Sequence, residues 1–232
     1  MNTPESSKAW SAPLLGVIAA TIGLAAVRAD DIPFDLLKSC IALLLAGPAY
    51  LGFLRTVRRV GAGGTPQMEF ITAIVLPALF LLFLATATDH YLRGEWSWIA
   101  FASALPFVLL STNVSLCECF LRRSAELENG TPTLATTITP ETAKLWLVGS
   151  ALPAYMWLVL QIGREALPHG CAFAAITLIL SLQAIRLLDE DPYDPPFLLR
   201  ALRLSTFAAL GHGAIIASTL MLSNYWLLLG QV

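Results

Sequence analysis

Hydrophobic positions along this chain neither alternate nor keep to a single helical stripe. They gather in near-continuous apolar blocks at 11–27, 34–54, 70–88, 96–116, 143–162, 170–187 and 204–229, parted by short joints rich in Arg, Asp, Glu, Gly and Pro. A helix rises about 1.5 Å per residue, so each block is close to the roughly 20 residues that cross about 30 Å of hydrocarbon. Lipid offers no partner for a backbone amide, and helices are the form such blocks take. The pattern predicts an all-α, polytopic transmembrane helix bundle of about seven spans, one integral membrane domain over 1–232. The longest joint, Cys117 to Thr142, has no room for a soluble domain. Prolines within the blocks (Pro48, Pro77, Pro106 and Pro153) are expected to kink their helices. The first block has the length of a secretory signal core. The joint after it, Arg28-Ala29-Asp30-Asp31, is charged rather than a small-residue cleavage site, so the block is read as a span.

Composition reaches the same class independently. The chain is 56% hydrophobic and 13% charged, with a mean hydropathy of +0.70, more apolar surface than a soluble domain of 232 residues hides. A net charge of −2, with no basic patch interleaved with aromatics, points away from nucleic acid. A cytosolic N-terminus puts Lys8, Arg55, Arg58, Arg59, Arg122, Arg123, Lys144, Arg186, Arg200 and Arg203 on the cytosolic side. Only Arg28, Lys38, Arg93 and Arg164 fall opposite, a firm positive-inside bias. The expectation is an integral protein of an inner or plasma membrane with its C-terminus on the far side. The four cysteines form no Cys-x-x-Cys pair, and Cys117 and Cys119 have no partner ligands in sequence, so they read as reduced packing residues. No P-loop, Gly-x-Ser-x-Gly, His-Glu-x-x-His or dinucleotide fingerprint occurs.

The most informative stretch is Glu95 to Thr139. It begins as an apolar span, leaves it through a polar helical extension carrying Glu118, Arg122, Arg123, Glu126 and Glu128, and ends in Gly130-Thr131-Pro132-Thr133-Leu134. With Ala104-Leu105-Pro106 inside the span, this run resembles the second half of the core of UbiA-type intramembrane prenyltransferases. The branch that prenylates dihydroxynaphthoate on the way to menaquinone is the most similar. In that family a small-Leu-Pro span leads into an Asn/Asp-x-x-x-Asp-x-x-x-Asp helix and then Gly-Lys-Arg-Thr-Leu. Trp10-Ser11-Ala12-Pro13-Leu14-Leu15-Gly16 is similar to the family's opening. Leu198-Leu199-Arg200 through Gly211-His212-Gly213 is similar to its closing helix. The resemblance implies a helical membrane bundle that holds Mg²⁺ and a prenyl diphosphate at its cytosolic rim and transfers the prenyl chain to an aromatic or lipid acceptor.

The sequence departs from that family where the metal should sit. The first aspartate motif falls at Ala46-Gly47-Pro48-Ala49-Tyr50-Leu51-Gly52-Phe53-Leu54-Arg55, which contains no carboxylate. The second becomes Glu118, Arg122 and Glu126 counted back from Gly130, or Asn113, Cys117 and Leu121 counted from Asn113. Neither register holds an aspartate. The family usually has nine helices, two more than here. Glu118, Arg122 and Glu126 share one helix face, where Arg122 is expected to pair with both glutamates and to repel a dication. Alternatively, Arg55, Arg58, Arg59, Arg122 and Arg123 could clamp a phosphate directly, although the positive-inside rule already places arginines there. Two functions follow. In one, the chain has lost Mg²⁺-diphosphate catalysis, needs no cofactor, and serves as a subunit or scaffold holding an isoprenoid lipid, quinone or pigment tail within a larger membrane complex. In the other it remains a prenyltransferase that uses Glu118, Glu126 and Glu128 with Mg²⁺.

Other polar residues are weaker candidates. His212, between two glycines in the last block, and Asn113 are expected either to contact a lipid or flat ring or to make interhelical hydrogen bonds. The acidic joint Asp189 to Pro196 reads as a solvated connector, and Asp89-His90 and Glu165–His169 as polar turns. Trp10, Trp96, Trp98 and Trp226 sit at span ends as an interfacial belt. A small transporter is disfavoured because no block carries an obvious buried acidic relay.

Overall fold

The computed structural model describes residues 5–26, 36–61, 64–130, 132–190 and 194–229. These residues form helices and no strand. In order they are α1 (Glu5–Ala25), α2 (Leu36–Gly61), α3 (Pro66–Arg93), α4 (Trp98–Leu121), α5 (Arg123–Glu128), α6 (Leu134–Thr137), α7 (Pro140–Gly163), α8 (3₁₀ over His169–Thr177, then α over Leu178–Glu190) and α9 (Pro195–Leu229). Six of them, α2, α3, α4, α7, α8 and α9, are long and apolar enough to cross a membrane. In α1 the apolar part is the shorter Ala12–Ala25. The fold is an all-α polytopic bundle.

α4 is its centre, and the sequence explains why. A helix that is apolar all round has no face to give to water. Ala100, Ala102, Ser103 and Ala104 are also small enough to admit close neighbours, and all four are fully buried. α1, α3, α7 and α9 pack around α4, while α2 leans on α1 and α3, and α8 on α7 and α9. The tightest approaches occur at glycines. A Cβ on Gly23 of α1 would lie 2.0 Å from the Ala85 carbonyl oxygen of α3. One on Gly213 of α9 would lie 2.4 Å from Ile18 and 2.8 Å from Phe107. Hydroxyls in the spans turn inward to their own helix: Thr21, Thr88, Ser103 and Thr206 each donate to the carbonyl four residues back at 2.7–2.8 Å.

Several boundaries differ from the sequence reading. α2 runs on to Gly61, α3 begins at Pro66 and α9 at Pro195, because amphipathic and charged turns extend each apolar block beyond the hydrocarbon. The joint from Cys117 to Thr142 is mostly helical: α4 continues to Leu121, and α5 and α6 fill much of the rest. The helices are unbroken at Pro48, Pro106 and Pro153. At Pro77 the helix opens instead. Ile71–Val75 is a π-turn, with the Leu76 N–H reaching back to the Ile71 carbonyl. The ring of Pro77 would meet the carbonyl of Ala73, four residues back and inside that turn, and the wider winding relieves the collision. Asp89 is fully buried in the last turn of α3 rather than in a polar turn, with Arg93 Nε 3.0 Å from its Oδ1. Arg93 also donates to the Ala26 carbonyl at 2.5 Å, which satisfies the C-terminal end of α1. A buried carboxylate thus exists near a span end, although α3 supplies its partner one turn away. Glu190 of the acidic joint is helical and paired with Arg186 at 2.7 Å. Residues 28–31 and 191–193 and the side chains of Trp10 and Trp226 lie outside the described residues. Trp96 and Trp98 stand exposed at the start of α4.

Candidate functional site: a cavity at the ends of α2 and α4

The C-terminal ends of α2 and α4 meet the N-terminal end of α3 around a cavity of about 500 Å³. α2 contributes Arg58 and Gly61, α3 contributes Glu69, Thr72 and Ala73, α4 contributes Ser115, Glu118 and Cys119, and Arg122, Glu126 and Thr133 close the rim. Two arginines and three glutamates therefore share one concavity, formally one negative charge.

Each carboxylate is engaged. Glu118 Oε2 accepts from Arg58 Nη2 at 2.6 Å, joining α4 to α2. Glu69 Oε1 accepts from Arg122 Nη2 at 3.1 Å, and its Oε2 accepts from the Leu134 backbone N–H at 2.6 Å, tying α3 to the start of α6. Glu126 Oε1 lies 3.4 Å from Arg122 Nη1, and its Oε2 accepts from the Thr133 hydroxyl at 2.6 Å. The carboxylates are the deeper groups, with side chains 15–17% exposed against 54% for Arg58 and 45% for Arg122. Burial pulls the Arg122 guanidinium down. Neighbouring Cys119, Glu126 and Glu69 outweigh that and hold it above its usual value, so it stays charged.

Of the residues singled out in sequence, the structure brings Glu118, Glu126, Arg58 and Arg122 into this cavity. Arg122 pairs with Glu126 as expected, but Glu118 turns to Arg58 of α2, because α2 reaches a full turn past its apolar block. Arg55, Arg59 and Glu128 are exposed and do not line it. Arg123 points away: its Nη1 donates to the carbonyls of Ala135 and Ile138 and its guanidinium lies 5.7 Å from the Phe120 ring, so it staples α6 under the end of α4. Gly130 adopts a left-handed φ of +65°, and Thr133 caps α6 in a reciprocal box with Thr136. Glu69 was not singled out in sequence, since a carboxylate in a first helical turn, after Pro66, reads as a partner for the helix dipole.

Asn113 and His212 both make contacts between helices. Asn113 donates to the Leu147 carbonyl at 3.4 Å and accepts from the Ser150 hydroxyl, bridging α4 and α7. His212 is fully buried. Its Nδ1 lies 3.2 Å from the Thr177 hydroxyl and 3.3 Å from the Ala174 carbonyl, and Tyr155 meets its ring edge-on at 5.5 Å. The free thiols Cys117, Cys119 and Cys171 are buried and Cys40 is exposed. Among the described residues no three His, Cys, Asp or Glu side chains group as metal ligands.

Beside this cavity an apolar groove of about 510 Å³ runs between α3, α4 and α7. Phe70, Ile74, Leu109, Leu116, Trp146 and Gly149 are among its lining residues. The π-turn divides the two: Thr72 and Ala73 face the polar cavity, Ile74 and Val75 the groove. No protein-family model, curated protein or solved structure matches the chain.

Proposed function

We propose that this chain is a UbiA-like membrane scaffold that does not perform metal-diphosphate chemistry and holds an isoprenoid lipid, quinone or pigment tail as a subunit of a larger membrane complex. The observation that carries the proposal is the pairing of Glu69, Glu118 and Glu126 with arginines at 2.6–3.4 Å in the cavity where an enzyme would hold its metal. Mg²⁺ needs near-octahedral oxygen ligands, and it would have to bind beside two guanidinium charges already paired with these carboxylates. These residues do not fit that ion, and no step is routed through it. Losing one oriented charge-stabilising group commonly costs about 10²–10³ in rate, and here the aspartate set of both motifs is missing. The apolar groove beside the cavity supports a lipid-holding role.

Purified protein incubated with Mg²⁺, prenyl diphosphates of graded length and aromatic acceptors is expected to show no turnover, and organic extraction is expected to release a co-purified isoprenoid lipid. Turnover that disappears in Glu118→Ala or Glu126→Ala would establish the alternative, an active prenyltransferase.

A further inference from the structure

We infer that the outward face of α2 holds an anionic phospholipid, its phosphate at Arg55 and Arg59 and an acyl chain along the notch at Gly52. Five arginines stand at this end of the bundle, and three of them have protein partners. Arg58 meets Glu118, Arg122 meets Glu69 and Glu126, and Arg123 donates to the Ala135 and Ile138 carbonyls. Arg55 and Arg59 differ: both are exposed, one turn apart on one face of α2, with no acceptor among the described residues. Like charges four residues apart on a helix repel each other. A positive-inside bias accounts for arginines at a helix end, but not for two of them sharing an outward face without a counter-ion.

The depth suits a headgroup. At about 1.5 Å per residue, Arg55 stands roughly 26 Å along the helix from Lys38, close to the limit of about 30 Å of hydrocarbon. Followed back into the bilayer, the same face presents Gly52, Pro48 and Leu45, all exposed, while α1 and α3 pack on other sides of α2. A Cβ at Gly52 would meet nothing within 4 Å, so a chain beneath the arginines lies directly against the helix backbone. Charge decides between occupants. Guanidinium forks match the two free oxygens of a phosphodiester, and an anionic head leaves that attraction unopposed. A choline head sets its own ammonium against the arginines. A second copy meeting this face two-fold would bring four arginines together.

Native mass spectrometry of the purified chain in a non-ionic detergent tests this, with phosphatidylglycerol or phosphatidylcholine of identical acyl chains added in graded amounts. One phosphatidylglycerol is expected to bind about tenfold or more tightly than phosphatidylcholine, the scale that two interfacial arginines supply. Arg55→Gln with Arg59→Gln should abolish the preference. Arg200→Gln with Arg203→Gln, which removes two exposed arginines from the start of α9, should leave it intact. Glycerol phosphate, the head without chains, should not displace the lipid. Equal binding of the two lipids overturns the inference, as does an equal loss of preference in both double variants, which would mean that general surface charge is responsible. Displacement by glycerol phosphate also overturns it, since the site would then take a free anion rather than a phospholipid.

Discussion

Glu69 makes the sharpest demand on the structure, because one carboxylate ties three elements together. Removing it in Glu69→Ala leaves the Leu134 N–H without its 2.6 Å acceptor and takes one of the two glutamates from Arg122. A hydrogen bond to a charged group contributes about 1.5–3 kcal/mol. The ion pair adds less, about 0.2–1 kcal/mol, because Arg122 is nearly half exposed and water screens it. Together the loss is about 2–4 kcal/mol. Glu69→Gln keeps an acceptor for Leu134 and gives up the charge, so it should cost roughly half as much. Two measurements check this: reversible unfolding in mixed SDS micelles, and hydrogen exchange at the Leu134 amide, which should accelerate in the alanine variant and much less in the glutamine. A double-mutant cycle with Arg122→Ala should give a small coupling of about 0.2–1 kcal/mol, since most of the effect belongs to the backbone bond. If Glu69→Ala costs under about 0.5 kcal/mol and leaves Leu134 exchange unchanged, the three-way tie does not exist in the membrane.

The other predictions concern the bundle. Gly23→Ala would drive a methyl to 2.0 Å from the Ala85 carbonyl and should cost at least the 1–3 kcal/mol typical of overpacking, read by the same unfolding assay. Gly52→Ala, with nothing within 4 Å, should instead be neutral or stabilise by up to about 1 kcal/mol; equal penalties for the two would refute the α1–α3 packing. Tyr155→Phe removes bonds to Thr177 at 3.0 Å and Ser181 at 3.1 Å and should cost about 0.6–1.5 kcal/mol, measured by unfolding. Glu165 holds a left-handed φ of 58° at the end of α7, so Glu165→Gly should raise stability by about 1 kcal/mol; a lowered midpoint would contradict that backbone.

The class of fold was open to reading because apolar blocks in lipid have one conformational answer. Six of the seven blocks correspond to helices long enough to span. Their ends were not legible, since a helix such as α2 continues on its charged turns once packing holds it, and that extra turn decides which partner Glu118 takes. The cavity was half legible. Glu118, Arg122 and Glu126 announced themselves by a shared helix face, whereas Glu69 reaches the same place from 49 residues upstream of Glu118 only because Pro66 starts α3 beside the end of α4. Asp89 was misjudged for a related reason: its partner, Arg93, lies four residues on and its burial comes from neighbouring helices.

The self-pairing at the cavity also bounds what it can bind. Two unit charges about 4 Å apart interact by about 4 kcal/mol at an effective dielectric of 20. A diphosphate drawn to Arg58 and Arg122 would gain interactions of that order. Its own charge would also stand against the three carboxylates those guanidiniums hold, a repulsion of the same order. The gain and the loss nearly cancel, and desolvation of the anion remains as a net cost. Divalent ions over the carboxylates would lift that cancellation. This chain covers them with guanidiniums anchored to α2 and to the joint between α4 and α5. A guanidinium fixed to the backbone cannot follow a departing diphosphate, which accords with the scaffold role proposed above.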